Sequence, residues 1–132
     1  MRDDRERLDH ILEAIERIEK YAAEGEEHFR EEELVQNWML RHLQVIGEAT
    51  RALSKEFRNQ YPEVPWDSII GMRHILVHEY FGIDLDLVWR TVSKNIPELK
   101  ESVKTIIHEL GDSEEKKPNA EGGTGETEEK RG

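Results

Sequence analysis

The chain has 132 residues, 37% of them charged and 36% in the apolar set, with a formal net charge of −11. That length suits one domain with a real core but no second one. The balance fits a compact protein with a heavily solvated surface rather than a fully disordered chain. The acidic total argues against a protein that grips nucleic acid through a broad basic face, so any RNA contact has to be local. With no cysteine, disulfides, thiolate metal sites and cysteine nucleophiles are excluded. The charged start, Met1-Arg2-Asp3-Asp4-Arg5-Glu6-Arg7, leads into no long apolar run. No stretch approaches the roughly 20 apolar residues of a membrane span, so a cytoplasmic protein without membrane association is expected.

In chain order, Asp3 to Ala23 repeats Leu8, Ile11, Leu12, Ile15 and Ile18 at spacings of three and four, which predicts a helix with one apolar stripe. Gly25 is a plausible stop. A second helix is expected from Glu31 to Tyr61, carrying Leu34, Val35, Trp38, Met39, Val45, Ile46, Ala49, Leu53 and Phe57. At about 1.5 Å per residue it would span roughly 45 Å, long for so small a domain. Gly47 interrupts it, at a cost in helix propensity unless close packing or a kink needs a small residue there.

Tyr61-Pro62-Glu63-Val64-Pro65 ends that helix, and Pro65 can open a third one that carries Trp66, Ile69, Ile70, Met72, Ile75 and Leu76 and ends near Gly82. Asp84 is a good N-cap for a short fourth helix with Leu85, Val88, Trp89 and Val92. Pro97 opens a fifth, with Leu99, Val103, Ile106, Ile107 and Leu110 buried. From Gly111 onward there are seven acidic and four basic residues, no aromatic and no large aliphatic one, which predicts a disordered acidic tail over 111–132. Its net charge of −3 leaves −8 on residues 1–110, so the folded part is acidic too. The expected architecture is all-α, a bundle of about five helices over residues 1–110.

The segment with chemical potential is Arg73-His74-Ile75-Leu76-Val77-His78-Glu79-Tyr80. Cleaving RNA without a metal needs a base for the ribose 2′-hydroxyl and a cation for the phosphate charge. Histidine titrates near neutrality, and the arginine fork holds phosphate oxygens while staying charged. Arg73 and His78 supply that pair, with Tyr80 as a further hydroxyl. On a helix they differ by roughly 140° around the axis and about 7.5 Å along it, so one copy makes an awkward site. Two copies across a two-fold axis would bring both pairs to one groove, which makes a homodimer a geometric expectation. Glu48, mid-helix beside Gly47, either faces solvent or orients Arg73 by an ion pair; the close approach Gly47 permits favours the latter. His74 and His78 lie four apart, but no third ligand is apparent, so no metal site is assigned. Trp38, Trp66 and Trp89 read as packing anchors. His10, His28, His42 and His108 read as surface or structurally satisfied residues.

Arg73…His78-Glu79-Tyr80 resembles the Arg-x4-His-x-Tyr signature of the HEPN superfamily, specifically the HepT-type toxins of two-gene HepT/MNT toxin–antitoxin modules. Val45-Ile46-Gly47-Glu48-Ala49, Pro62-Glu63-Val64-Pro65-Trp66, Gly71-Met72-Arg73, Tyr80-Phe81-Gly82-Ile83-Asp84 and Pro97-Glu98-Leu99 follow in the same order, so the resemblance covers residues 5–110. It implies a HEPN-like fold and an RNA endonuclease acting as a homodimer, with Arg73 and His78 catalytic, no cofactor, and a tRNA or mRNA among the candidate substrates. It also implies an MNT-type nucleotidyltransferase antitoxin as partner, which can transfer AMP onto the motif tyrosine, here Tyr80. The competing reading is a non-catalytic nucleotide-binding or substrate protein for that nucleotidyltransferase.

Overall fold

The computed structural model describes residues 2–73 and 84–116. Among them the regular structure is entirely helical: α1 (Arg2–Ala22), α2 (Glu26–Glu31), α3 (Glu33–Arg51), α4 (Lys55–Gln60), α5 (Trp66–Ile70) running into a 3-10 turn (Gly71–Arg73), α6 (Leu85–Arg90), a π segment (Thr91–Asn95) and α7 (Ile96–Lys116). This is the all-α bundle expected. None of the described helices is long and apolar enough to cross a membrane.

The α1 stripe is fully enclosed, with Leu8, Ile11, Ile15 and Ile18 at 0% exposure. It packs on Met39, Leu43 and Ile46 of α3 and on Leu99, Val103 and Ile106 of α7. The α1–α3 pair is antiparallel. Near one end Asp4 meets Ser54, and near the other the Trp38 indole N–H donates to the Arg17 carbonyl at 2.8 Å. Lys100 Nζ bonds Glu19 across α1 and α7 at 2.8 Å. Gly25 turns the chain out of α1 with φ of 98°, a conformation that strains any residue with a Cβ.

The long second helix does not form as one piece. Its expected start is split at Glu32, which is extended between α2 and α3. Gln36 explains the split: its side-chain amide donates to the Phe29 and Arg30 carbonyls at 3.0 and 3.1 Å, capping the last turn of α2. Leu34, placed on the apolar stripe by its spacing, is 82% exposed: in the first turn of α3 it is Val35, with Met39 one turn on, that faces the core. The other end breaks at Ser54, which is extended (φ −65°, ψ 150°) and caps α4 by accepting from Phe57 N at 3.1 Å. Its own N–H and hydroxyl donate to the buried Asp4 carboxylate at 2.7 and 2.8 Å. Leu53 and Phe57 stay buried on either side, so the periodicity runs through a break made by a tertiary contact.

Pro97 does not start a separate helix either. It is the second residue of α7, and the preceding five residues form a π segment continuous with α6. A proline inside a helix cannot donate to the carbonyl one turn back, and its ring crowds that carbonyl. A wider turn just upstream accommodates both problems. The Thr91 hydroxyl donates to the Leu87 carbonyl at 2.8 Å and satisfies an acceptor next to the irregularity. At the end of the chain, α7 runs six residues past the expected tail start, to Lys116, because a single Gly111 is tolerated in a helix and Asp112–Lys116 contains no proline. The rest of the predicted tail, 117–132, lies outside the described residues.

Candidate functional site

The site is assembled where α5 crosses α3. Trp66 anchors α5: its indole N–H is shared between the Arg58 carbonyl at 3.0 Å and the Tyr61 carbonyl at 2.9 Å. That fixes the proline-bounded connection from α4. Ile69 and Met72 then bury themselves against the core, at 7% and 9% exposure. The chain tightens into the 3-10 turn at Gly71 and delivers Arg73 onto α3.

Gly47 is what lets the turn come so near. A Cβ built there would stand 3.0 Å from the Arg73 backbone nitrogen, 3.2 Å from the Ile70 carbonyl oxygen and 3.3 Å from the Arg73 Cβ. Two of these atoms are backbone, so the turn itself would have to move. Gly47 is thus kept for contact, not for a kink; α3 continues through it to Arg51. Glu48, the next residue, reaches Arg73 directly: Arg73 Nε donates to Glu48 Oε2 at 2.9 Å. The side chains are 31% and 47% exposed, so solvent screens the pair and it adds little to stability. Its effect is to fix direction. With Nε engaged, the two terminal guanidinium nitrogens have no partner among the described residues.

Arg73 and Glu48 are therefore brought together as the ion-pair expectation had it. His78 and Tyr80, with His74, lie outside the described residues, as does the second half of the third predicted helix. Asp84 caps α6 as expected, its carboxylate accepting from Leu87 N at 3.1 Å.

Two features were missed in the sequence. An open groove of about 830 Å³ runs between α1 and α3 and passes Glu48 to reach Ala52, with Arg7 and Arg41 in its lining. A signal was present, since Trp38, Arg41, His42, Val45 and Glu48 recur at three and four. A smaller pocket of about 320 Å³ lies behind the turn, between Ile69 and Met72 on one side and Leu87, Ile96 and Leu99 on the other. Its wall holds one ionisable side chain among the described residues, Glu98, and suits packing better than acid–base work.

Comparison with known proteins adds independent evidence. Residues 11–106 match the family model described as "Ribonuclease HepT-like". A Caldanaerobacter subterraneus protein named "Putative RNase" is 42% identical over 108 residues, covering 81% of this chain and 96% of that protein. The "Probable ribonuclease HepT" of Thermococcus cleftensis is 39% identical over 100 residues, 75% of this chain and 91% of its own length. A Methanocaldococcus jannaschii protein named "Gamma-glutamylcyclotransferase and putative RNase" is 42% identical over 113 residues; the match covers 85% of this chain but about half (51%) of that longer protein. No solved structure matches the chain. On the family match and the near full-length relatives together, the chain belongs to the HepT-like ribonuclease family.

Proposed function

We propose that the chain is a metal-independent RNA endonuclease of the cytosol, the toxin of a two-gene toxin–antitoxin pair, working as a homodimer. The observation that carries this reading is Arg73, held by Glu48 through Nε with no partner for its terminal nitrogens among the described residues, at the head of an Arg-x4-His-x-Tyr motif in a chain of this family. In the reaction, His78 takes the proton of a ribose 2′-hydroxyl. The oxygen attacks the adjacent phosphorus, the bond to the 5′-oxygen breaks, and that oxygen takes a proton from water while the His78 imidazolium returns its own to solvent. The products are a 2′,3′-cyclic phosphate and a free 5′-hydroxyl. Arg73 stabilises the charge that builds on the phosphate oxygens. Were the motif an ideal α-helix, positions five apart would stand about 140° apart, which favours a composite site with Arg73 and His78 drawn from two subunits.

Tyr80 is the proposed switch. An MNT-type nucleotidyltransferase antitoxin would transfer AMP from ATP to its hydroxyl, releasing pyrophosphate. The added phosphate and bulk, two motif positions from His78, would repel RNA from the cleft.

The test is cleavage of an end-labelled RNA by the purified chain in excess EDTA, with the product ends identified. Wild type should leave cyclic-phosphate ends, and Arg73→Ala and His78→Ala should each abolish cleavage while the dimer persists. A folded wild type that cuts no RNA, together with an AMP adduct lost in Tyr80→Phe, would instead favour the non-catalytic substrate reading, which the −11 net charge also suits.

A further inference from the structure

The endonuclease reading uses the Arg73 end of α3 and leaves its flank unexplained. The open groove there is walled by Arg7, His10 and Arg17 of α1 and by Trp38, Arg41 and His42 of α3, and it passes Glu48. These positions share one face of each helix, and the antiparallel packing sets Arg17 beside Trp38 and Arg7 toward Glu48. On a chain of net charge −11, this face has a different balance.

Both acids of the groove are already neutralised. Glu13 accepts from Arg17 at 3.0 Å, and Glu48 holds Arg73 at 2.9 Å. Arg7 and Arg41, by contrast, have no carboxylate partner among the described residues, and the Arg7 Nε is shielded from solvent without any hydrogen bond. What a phosphate in the groove could engage is the terminal nitrogens of these two guanidinium groups, which no carboxylate holds. His42 adds a polar group fixed in orientation. Its Nδ1 lies 2.9 Å from the Trp38 carbonyl, which can only accept, so Nδ1 carries the proton and Nε2 of the neutral ring is an acceptor. The Trp38 ring holds His42 at 4.4 Å between centroids and closes the far end of the groove.

Resting on the endonuclease reading above, we propose that this groove guides the RNA strand into the Arg73 site, with Arg7 and Arg41 contacting separate phosphates. Arg41 lies seven residues before Glu48, about 10 Å along α3, too far for one phosphate to serve both it and Arg73. A path of two isolated arginines reconciles RNA binding with an acidic surface: it adds affinity along one track and repels the strand elsewhere. Arg7 and Arg41 are positioning residues on this account, remote from the reacting atoms.

The experiment uses the full chain with two substrates, a long single-stranded RNA and a dinucleoside monophosphate too short to enter the groove. For Arg7→Gln/Arg41→Gln, KM on the long RNA should rise by about tenfold or more, while turnover of the dinucleoside stays at the wild-type value. The slope of log KM against log salt should fall by about 0.7 per lost contact. Because Arg7 is partly enclosed, the single variant Arg41→Glu, at an exposed position, is measured beside it, with Lys104→Glu on α7 as a control of equal charge change. Unchanged long-RNA KM and salt slope in the arginine variants overturn the proposal, as does an equal shift in Lys104→Glu. A wild type that cuts neither substrate refutes the endonuclease reading. Anisotropy of the labelled RNA then decides the groove by itself, since binding that Arg41→Glu leaves intact overturns it.

Discussion

Two stretches of α3 meet their neighbours in opposite ways. From Met39 to Ile46, the side chains of Met39, Leu43 and Ile46 pack whole into the core shared with α1, and helix separation is set by interdigitated aliphatic volume. At Gly47 the helix offers no side chain, and the backbone of the 3-10 turn comes to where a Cβ would meet it at 3.0 Å. The first contact is rich in energy and replaceable in detail; the second is poor in buried area and fixed in position. Stability and site geometry are thereby assigned to different stretches of one helix, which predicts that mutations will separate them.

The largest stability loss should come from the stretch that packs by side chains. Leu43→Ala removes a fully enclosed side chain and should cost about 2–5 kcal/mol in denaturant unfolding. The protein that remains folded should cut RNA at the wild-type rate per molecule. A specific activity that falls in step with the stability loss would erase the division. Gly47→Ala comes next. The added methyl gains about 1 kcal/mol of helix propensity and loses about 1–3 kcal/mol to overpacking, a net loss of up to about 2 kcal/mol. Its mark should be on cleavage, which displacement of Arg73 should lower by more than tenfold per folded molecule. Full activity in Gly47→Ala would show that the turn has slack.

Glu48→Gln is gentler. It keeps an acceptor for Arg73 Nε and removes the charge, so unfolding should shift by less than about 1 kcal/mol, as for any screened surface pair. Cleavage should drop several-fold, and a variant indistinguishable from wild type would make Glu48 a bystander. The smallest effect belongs to Leu34→Gln, at a residue 82% exposed: within about 0.5 kcal/mol of wild type, with activity unchanged. A large loss there would reveal a covered surface.

The same contrast explains what could be read from the sequence. Stripes such as Leu8–Ile11–Ile15–Ile18 and Leu99–Val103–Ile106 report burial directly, because a helix face is a local property. The pairing of Glu48 with Arg73 was legible for a different reason: a glycine in a helix beside an acid suggests both a close approach and a partner for what approaches. The break at Ser54 was not legible, since Leu53 and Phe57 keep helical spacing across it and its cause, Asp4, is fifty residues away. The π segment was hidden because a proline's local meaning is a stop, whereas the fold resolves it by widening the turn before it. Arg7 and Arg41 were hidden because a groove belongs to two helices at once, and each helix alone shows only a solvated face.

The Asp4–Ser54 contact has a practical bearing on how such a protein is handled. It joins the first turn of α1 to the start of α4 and so ties off the α1–α3 segment without a covalent bond. The carboxylate is only 6% exposed, and it sits three residues after Met1. Bulk attached to the first turn of α1 therefore meets the clasp and competes with the helix turn that presents Asp4. Handles attached after α7 avoid it, and assays comparing the two placements would read the position of the handle as an apparent loss of stability.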